Sequence, residues 1–453
     1  MRLLKAIYTI LYICVFLSFQ CSTAITPEPT KTGEQEVWIT VFVHGIMSVQ
    51  PHLSVETVLR LLNDRIEGSF YQHAVREIRT DPFFHRNQAM QDFGLLPIDK
   101  ASNYAGDASC ALALLMDQVY HWKKEQHPDN NLYYTYGWSG LLSPSIRLQE
   151  SRDFYHCLIR EIKKLHAQGI KPKIRIIGYS HGGNIVLGLA QAHREIREKY
   201  LSHIDEVIFL GVPIQVETDH YVTDPLFKKI YNFYSLTDRI QPIDCFSFKR
   251  FGSQKYFKPR ADLKLPDNLI QIELKLLRNA NLKQRKAKHK DKRYNFDDPR
   301  IIAGRSHGLR NSSPGHCELW FFGWTHAHYR THFPLTPLPI VAILPHILET
   351  IKEVEHDFPR QHHLVADIRP HQETMIIRAK NDYKKKHIIP FLSHEQLEEL
   401  KDKSREFAFK RVTYQDYKEH IEAAFERTRT KFAESLFGKP NFKKSKRNKN
   451  NFC

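Results

Sequence analysis

Gly178-Tyr179-Ser180-His181-Gly182-Gly183 sets a serine hydroxyl between glycines two residues before and two residues after it. A serine becomes a nucleophile only when a neighbouring base takes its proton and its backbone exposes the oxygen. The second condition is met by a sharp turn between a strand and a helix, where small flanking residues let the two elements approach closely. The hexapeptide directly follows the apolar run Ile174–Ile177 and directly precedes residues with helical spacing. The N–H groups at the start of such a helix point at the oxyanion that forms when the serine attacks a carbonyl. Average composition would produce a bare GxSxG in roughly one chain in twenty of this length; a strand before it and a helix after it make chance much rarer. Other chemistries find less. No Walker loop or GxGxxG is present, so no nucleotide cofactor is implied. His326 and His328, with His332 nearby, raise a metal reading, but no carboxylate or cysteine stands at ligand spacing and Glu318 is too far along the chain. Neither zinc nor any other cofactor is expected.

The elements that must position Ser180 follow from hydrophobic periodicity. Val37–Val43 is a short β-branched and aromatic run ending at His44-Gly45, which predicts a buried strand. Leu132–Tyr136, Ile174–Ile177, Val207–Leu210 and Tyr231–Leu236 predict further strands, and Asn268–Leu277 closes the series. Between them Ser151 reads as the N-cap of a helix carrying Phe154, Leu158, Ile162 and Leu165, stopped by Gly169 and Pro172. A second helix runs through Ile185, Leu189 and Ile196. Strands alternating with helices imply βαβ units and an α/β fold built on a mostly parallel sheet flanked by helices. Residues 279–313 are polar and basic and read as a flexible excursion, which could also cover the site as a lid. Past His356 the chain reads as a helical extension, with Ser393 and Gln396 as a capping box. Trp138, in Tyr136-Gly137-Trp138-Ser139-Gly140, ends a strand beside the expected ligand crevice and reads either as a pocket wall or as core.

VFVHGIM (41–47), IIGYSHGGN (176–184) and the strand end LGVP (210–213) together resemble the α/β-hydrolase superfamily, particularly its lipase and esterase branch. The resemblance spans about residues 37–351. It implies an α/β-hydrolase fold and a triad in the chain order serine, acid, histidine. Ser180 is then the nucleophile. Asp238, after the strand Tyr231–Leu236, is the acid, with Asp244 as the alternative. The base must lie beyond the last core strand, among His307, His316, His326, His328 and His332. His316 is preferred because it follows the turn 312–315 and precedes the apolar run Leu319–Phe322; His326 is the alternate base. The backbone N–H groups of Ile46 and His181 are the implied oxyanion donors.

Composition bounds the rest. The chain has a mass of 53.3 kDa, 42% apolar and 26% charged residues and a mean hydropathy of -0.48, which excludes a polytopic membrane protein and wholesale disorder. The net charge is +17, and residues 281–293 with the tail 439–453 carry twelve of those charges. The body is therefore only mildly basic, and the two basic segments are candidates for contact with an anionic membrane, at about 1 kcal/mol per charge. Arg2 and Lys5, the 14-residue apolar run Ala6–Phe19 and the small residues Ser22-Thr23-Ala24 have the order of a signal peptide. The run is short of the roughly 20 residues of a spanning helix. Residues 1–24 are thus expected to export the protein, followed by a linker, 25–36; lipid attachment at Cys21 and an uncleaved anchor are the alternatives. Cys110, Cys157, Cys245, Cys317 and Cys453 form no CxxC pair and no disulfide framework. The leading expectation is an exported serine hydrolase acting on a lipid or acyl ester. The alternatives are a silent hydrolase-fold interaction module and a binder of anionic polymers or membrane surfaces; no nucleic-acid motif is present.

Overall fold

The computed structural model describes residues 37–47, 55–101, 107–123, 131–241, 253–277, 313–326, 329–330, 333–358, 362–408 and 411–437. The expected signal peptide and linker, the excursion up to residue 312, the basic tail, Asp244, His307, His328 and His332 lie outside the described residues.

Ten strands form one sheet. They are β1 (Val37–Val43), β2 (Gly94–Pro97), β3 (Asn131–Gly137), β4 (Pro172–Tyr179), β5 (Glu206–Leu210), β6 (Ile230–Tyr234), β7 (Leu269–Leu276), β8 (His363–Arg369), β9 (Thr374–Ala379) and β10 (Lys386–Pro390). The order is β10-β9-β8-β7-β6-β5-β4-β1-β3-β2. Pairing is parallel from β3 through β1 to β8 and antiparallel at both edges. Parallel strands are buried on both faces and so read as continuous apolar runs; β1, β5 and β6 are buried at every position.

The helices, in chain order, are α1 (Val55–Leu62), α2 (Phe70–Arg79), α3 (Pro82–Arg86), α4 (Ala108–Trp122), α5 (Pro144–Ala167), α6 (Gly182–Ile196), α7 (Leu344–Val354), α8 (His394–Glu406) and α9 (Tyr414–Phe437). Helices α5 and α6 cover one face of the sheet, with Phe154, Leu158 and Ile162 against Ile185 and Leu189 in one apolar cluster. Helices α4, α7 and α8 cover the other face, around Leu115, Ile347 and Leu400. Strand β1 lies between β3 and β4, so the chain leaves it on one side and returns on the other. In open α/β sheets the crevice beyond the C-terminal ends of strands at such a reversal is where ligands bind. Residues 44–47 follow β1 there, and Ser180 follows β4.

Three expectations are corrected. The helix expected to start at Ser151 starts at Pro144, capped by the Ser143 hydroxyl, which accepts from the Ile146 N–H. Proline in the first turn fixes that start, and Ser151 instead donates mid-helix to the Arg147 carbonyl at 2.8 Å and is 2.9 Å from the Ile185 carbonyl. The region past His356 is not helical throughout: β8, β9 and β10 come first and extend the sheet, so β7 is not its last strand. Charges hid these strands; Asp367 and Arg369 are both buried and pair at 3.3 Å. The apolar run Leu319–Phe322 starts at the last residue of a short 3-10 turn, Cys317–Leu319, and continues outside any strand. The capping box is present, with Ser393 and Gln396 bonding each other's backbone N–H.

The turn at Ser180 depends on close approach. A Cβ on Gly183 would lie 2.2 Å from Val212 Cγ2, and one on Gly182 would lie 2.3 Å from the His44 carbonyl oxygen. Gly183→Ala is expected to cost about 1–3 kcal/mol in urea unfolding, because Val212 is fully buried and cannot give way. Adding Val212→Ala should return part of that loss; strictly additive costs would contradict the contact.

Candidate active site

Ser180 adopts φ +50, in the left-handed region that a residue with a side chain occupies only under local constraint. The bond from its N–H to the Leu210 carbonyl, 3.0 Å long, ties the turn to β5. Its Oγ lies 3.0 Å from His316 Nε2, and His316 Nδ1 lies 2.7 Å from Asp238 Oδ2. An ionised carboxylate can only accept, so Nδ1 carries the proton and Nε2 is left to accept from the serine hydroxyl. Ser180 is 4% exposed and Asp238 1%. Burial alone would push the Asp238 carboxyl up. The neighbouring His316, its hydrogen bond, and the N–H groups of Ile240 and Gln241 outweigh burial and hold the group below its ordinary range.

Each of the three sits at the end of an element. Asp238 follows β6 and is held by two backbone donors, Ile240 at 2.9 Å and Gln241 at 3.3 Å. His316 precedes the 3-10 turn on a loop clamped from several sides. The Glu318 carboxylate, 2% exposed, accepts from the Gly315 N–H at 2.8 Å and from the Arg330 guanidinium at 2.8 Å. Thr237 donates to the Pro314 carbonyl at 2.9 Å, and Tyr179 donates to the His316 carbonyl at 3.1 Å. Gly211, at φ +61, lies under the pair; a Cβ there would meet Asp238 Oδ2 at 3.1 Å and His316 Nδ1 at 3.3 Å.

His326 lies in the wall of the same pocket, but it is His316 whose ring bonds Ser180. The His326 ring packs 4.4 Å from Phe321, with Nδ1 3.7 Å from Cys317 Sγ. Burial pushes the Cys317 thiol well up, so it stays protonated. Among the described residues no group of three histidine, cysteine or acidic side chains could hold a metal.

The loop after β1 is braced by residues the sequence left ambiguous or silent. Trp138 is core: its indole donates to the His44 carbonyl at 2.7 Å, and its ring stacks on His44 at 5.5 Å. His44 Nδ1 donates to the Gly45 carbonyl at 2.7 Å, and Nε2 accepts from the Trp138 N–H at 3.3 Å. Burial, then the charge of Arg79, lowers the His44 pKa well below the ordinary range, so it stays neutral. On the other side of Ser180, Arg147 donates to His181 Nδ1 and, at 3.0 Å, to Gln215. Nothing in the residue spacing marks Arg147, Glu318 or Arg330, because each acts across a fold contact.

The pocket over Ser180 and His316 has a volume of about 320 Å³ and is walled mainly by apolar and aromatic side chains, including Met47, Phe84, Leu142 and Tyr417. A larger cavity of about 620 Å³ lies across Leu141, beside Asp64, Arg76 and Glu150, and holds none of the three hydrogen-bonded residues. Among the described residues no helix is long and apolar enough to cross a membrane. A scan against protein-family models finds no match for this chain, and searches of the curated proteins and of the solved structures find none either.

Glu150 supports the loop that abuts Met47. Its Oε1 accepts from the Ser139 N–H at 2.9 Å, and burial pushes the carboxyl up to about 7. The folded state therefore holds more protons than the unfolded chain between the ordinary carboxylate pKa and 7, and stability falls as pH rises through that window. Glu150→Gln keeps the acceptor and removes the charge. Thermal melts should show the variant more stable than the wild type at pH 8, with the difference shrinking toward pH 5; an equal difference at both would contradict the assignment.

Proposed function

We propose that this chain has an α/β-hydrolase fold of the lipase and esterase type and hydrolyses a carboxylic ester through Ser180, His316 and Asp238. The observation that carries the reading is the unbroken hydrogen-bonded line from Ser180 Oγ to His316 Nε2, and from Nδ1 to the buried Asp238. In the first half-reaction Ser180 Oγ attacks the ester carbonyl carbon while His316 Nε2 takes the hydroxyl proton. Asp238 holds the imidazole in the required tautomer and stabilises its positive charge. The oxyanion is assigned to the backbone N–H groups of Ile46 and His181, whose residues line the pocket. Collapse breaks the carbonyl carbon to alkoxy oxygen bond; the alcohol leaves with the proton from His316, and the acyl group stays on Ser180. Water then gives a proton to His316 and attacks the acyl-enzyme, and the carboxylic acid departs as Ser180 recovers its proton. The apolar walls favour an acyl ester, and no step calls for a cofactor.

The order of elements at Arg2–Ala24 supports export, by way of a signal peptide, to a secreted, periplasmic or membrane-associated location. The basic segments 281–293 and 439–453 support peripheral contact with anionic lipid there.

Turnover of p-nitrophenyl hexanoate tests the activity. The wild type should hydrolyse it, with kcat lowered by about 10⁴–10⁶ in Ser180→Ala and His316→Ala and by about 10⁴ in Asp238→Asn. His326→Ala should lose far less than His316→Ala. A folded wild type with no turnover, or an undiminished Ser180→Ala, would remove the proposal.

A further inference from the structure

Part of the pocket wall comes from the far end of the chain. Tyr417, in the first turns of α9, lines the same pocket as Ser180 and His316 and is 6% exposed. Its ring lies edge-on to Phe84 with centroids 5.5 Å apart, and 5.4 Å from His326. The segment is brought there by the Val412 N–H, which donates to the Trp324 carbonyl at 2.8 Å.

Two kinds of contact seat α9, and their sizes differ. Tyr417, Ile421, Ala424 and Phe425 recur at helical spacing and are all buried, forming an apolar stripe against α2 and α3. Phe70 stacks on Phe425 at 6.0 Å. The larger of these side chains contribute about 1.5–3 kcal/mol each on burial. The ion pairs of Arg427 with Glu77 and Asp81, and of Lys431 with Glu77, have largely exposed cations and contribute about 0–1 kcal/mol each. The stripe therefore holds the helix, and Tyr417 is a fixed wall of the site rather than a salt-dependent flap.

The volume that this wall leaves is small. About 320 Å³ stands at the low end of the roughly 300–1,000 Å³ of small-molecule pockets. Resting on the hydrolase reading above, we infer that the site favours short and medium acyl groups and that the Tyr417 ring, as a fixed wall, sets the limit. Long-chain lipid esters are then poor substrates, and removing the Tyr417 ring opens the pocket toward them.

The test is the acyl-length profile of full-length enzyme on p-nitrophenyl esters from acetate to hexadecanoate, in detergent above its critical concentration. In the wild type kcat/KM should peak at a chain shorter than the tetradecanoate. The ratio of kcat/KM for tetradecanoate to that for hexanoate should rise roughly tenfold or more in Tyr417→Ala and stay at the wild-type value in Tyr417→Phe, which keeps the ring. If Tyr417→Ala loses its cooperative melt, Tyr417→Val carries the same comparison. An unchanged ratio in the small variant, or a wild type that prefers hexadecanoate, overturns the length limit while leaving the hydrolase reading intact. A wild type that turns over no ester of any length fails at the hydrolase reading itself.

Discussion

Everything at the site depends on how closely three backbones meet at Ser180. The end of β4, the start of α6 and the loop after β1 are packed so tightly that a Cβ on Gly45 would lie 2.9 Å from Ser180 Cβ, and one on Gly178 would lie 2.8 Å from Gly183 Cα. That crowding holds a serine at φ +50, a conformation that costs of order 1–3 kcal/mol and persists only where the surroundings over-determine it. The surroundings here are the parallel core of the sheet and the apolar faces of α5 and α6. The strain is local, and the large buried core offsets it.

Around that point the protein uses buried polar groups for orientation. Asp238 is held by two backbone N–H groups, His316 by a loop closed through Glu318 and Arg330, and His44 by Trp138. Each is an almost fully paired arrangement at low exposure, so that moving one member would leave a polar group without a partner in a poorly solvated place. The result is a serine, an imidazole and a carboxylate in fixed register beneath an apolar pocket, an arrangement suited to charge that develops only during reaction.

Much of this was legible in the chain. β1 and β4 through β7 follow from apolar runs, and Ser180 from a motif whose glycines have a steric purpose. Asp238 and His316 were placed by the chain order that the resemblance implies, one as the choice over Asp244 and the other from five candidates. What stayed hidden was what works through space. Strands β8 and β9 carry Asp367, Arg369 and Arg378, buried charges that break the continuous apolar run by which the other strands are read. Arg147 reaches His181 from 34 residues away in sequence and Arg330 reaches Glu318 from 12, and Tyr417 reaches the pocket from the last described helix. Cleavage of the chain near Val354 would thus remove three strands of the sheet as well as that wall, so the C-terminal region belongs to the same body as the pocket.

The proposed chemistry requires that Ser180 Oγ be an activated nucleophile. The most direct measurement is to treat the folded full-length protein with a fluorophosphonate and locate the adduct by intact mass and peptide mapping. One phosphonyl group per chain, on the peptide containing Ser180, is the expected result. An unmodified folded protein, or an adduct on another residue, would contradict it.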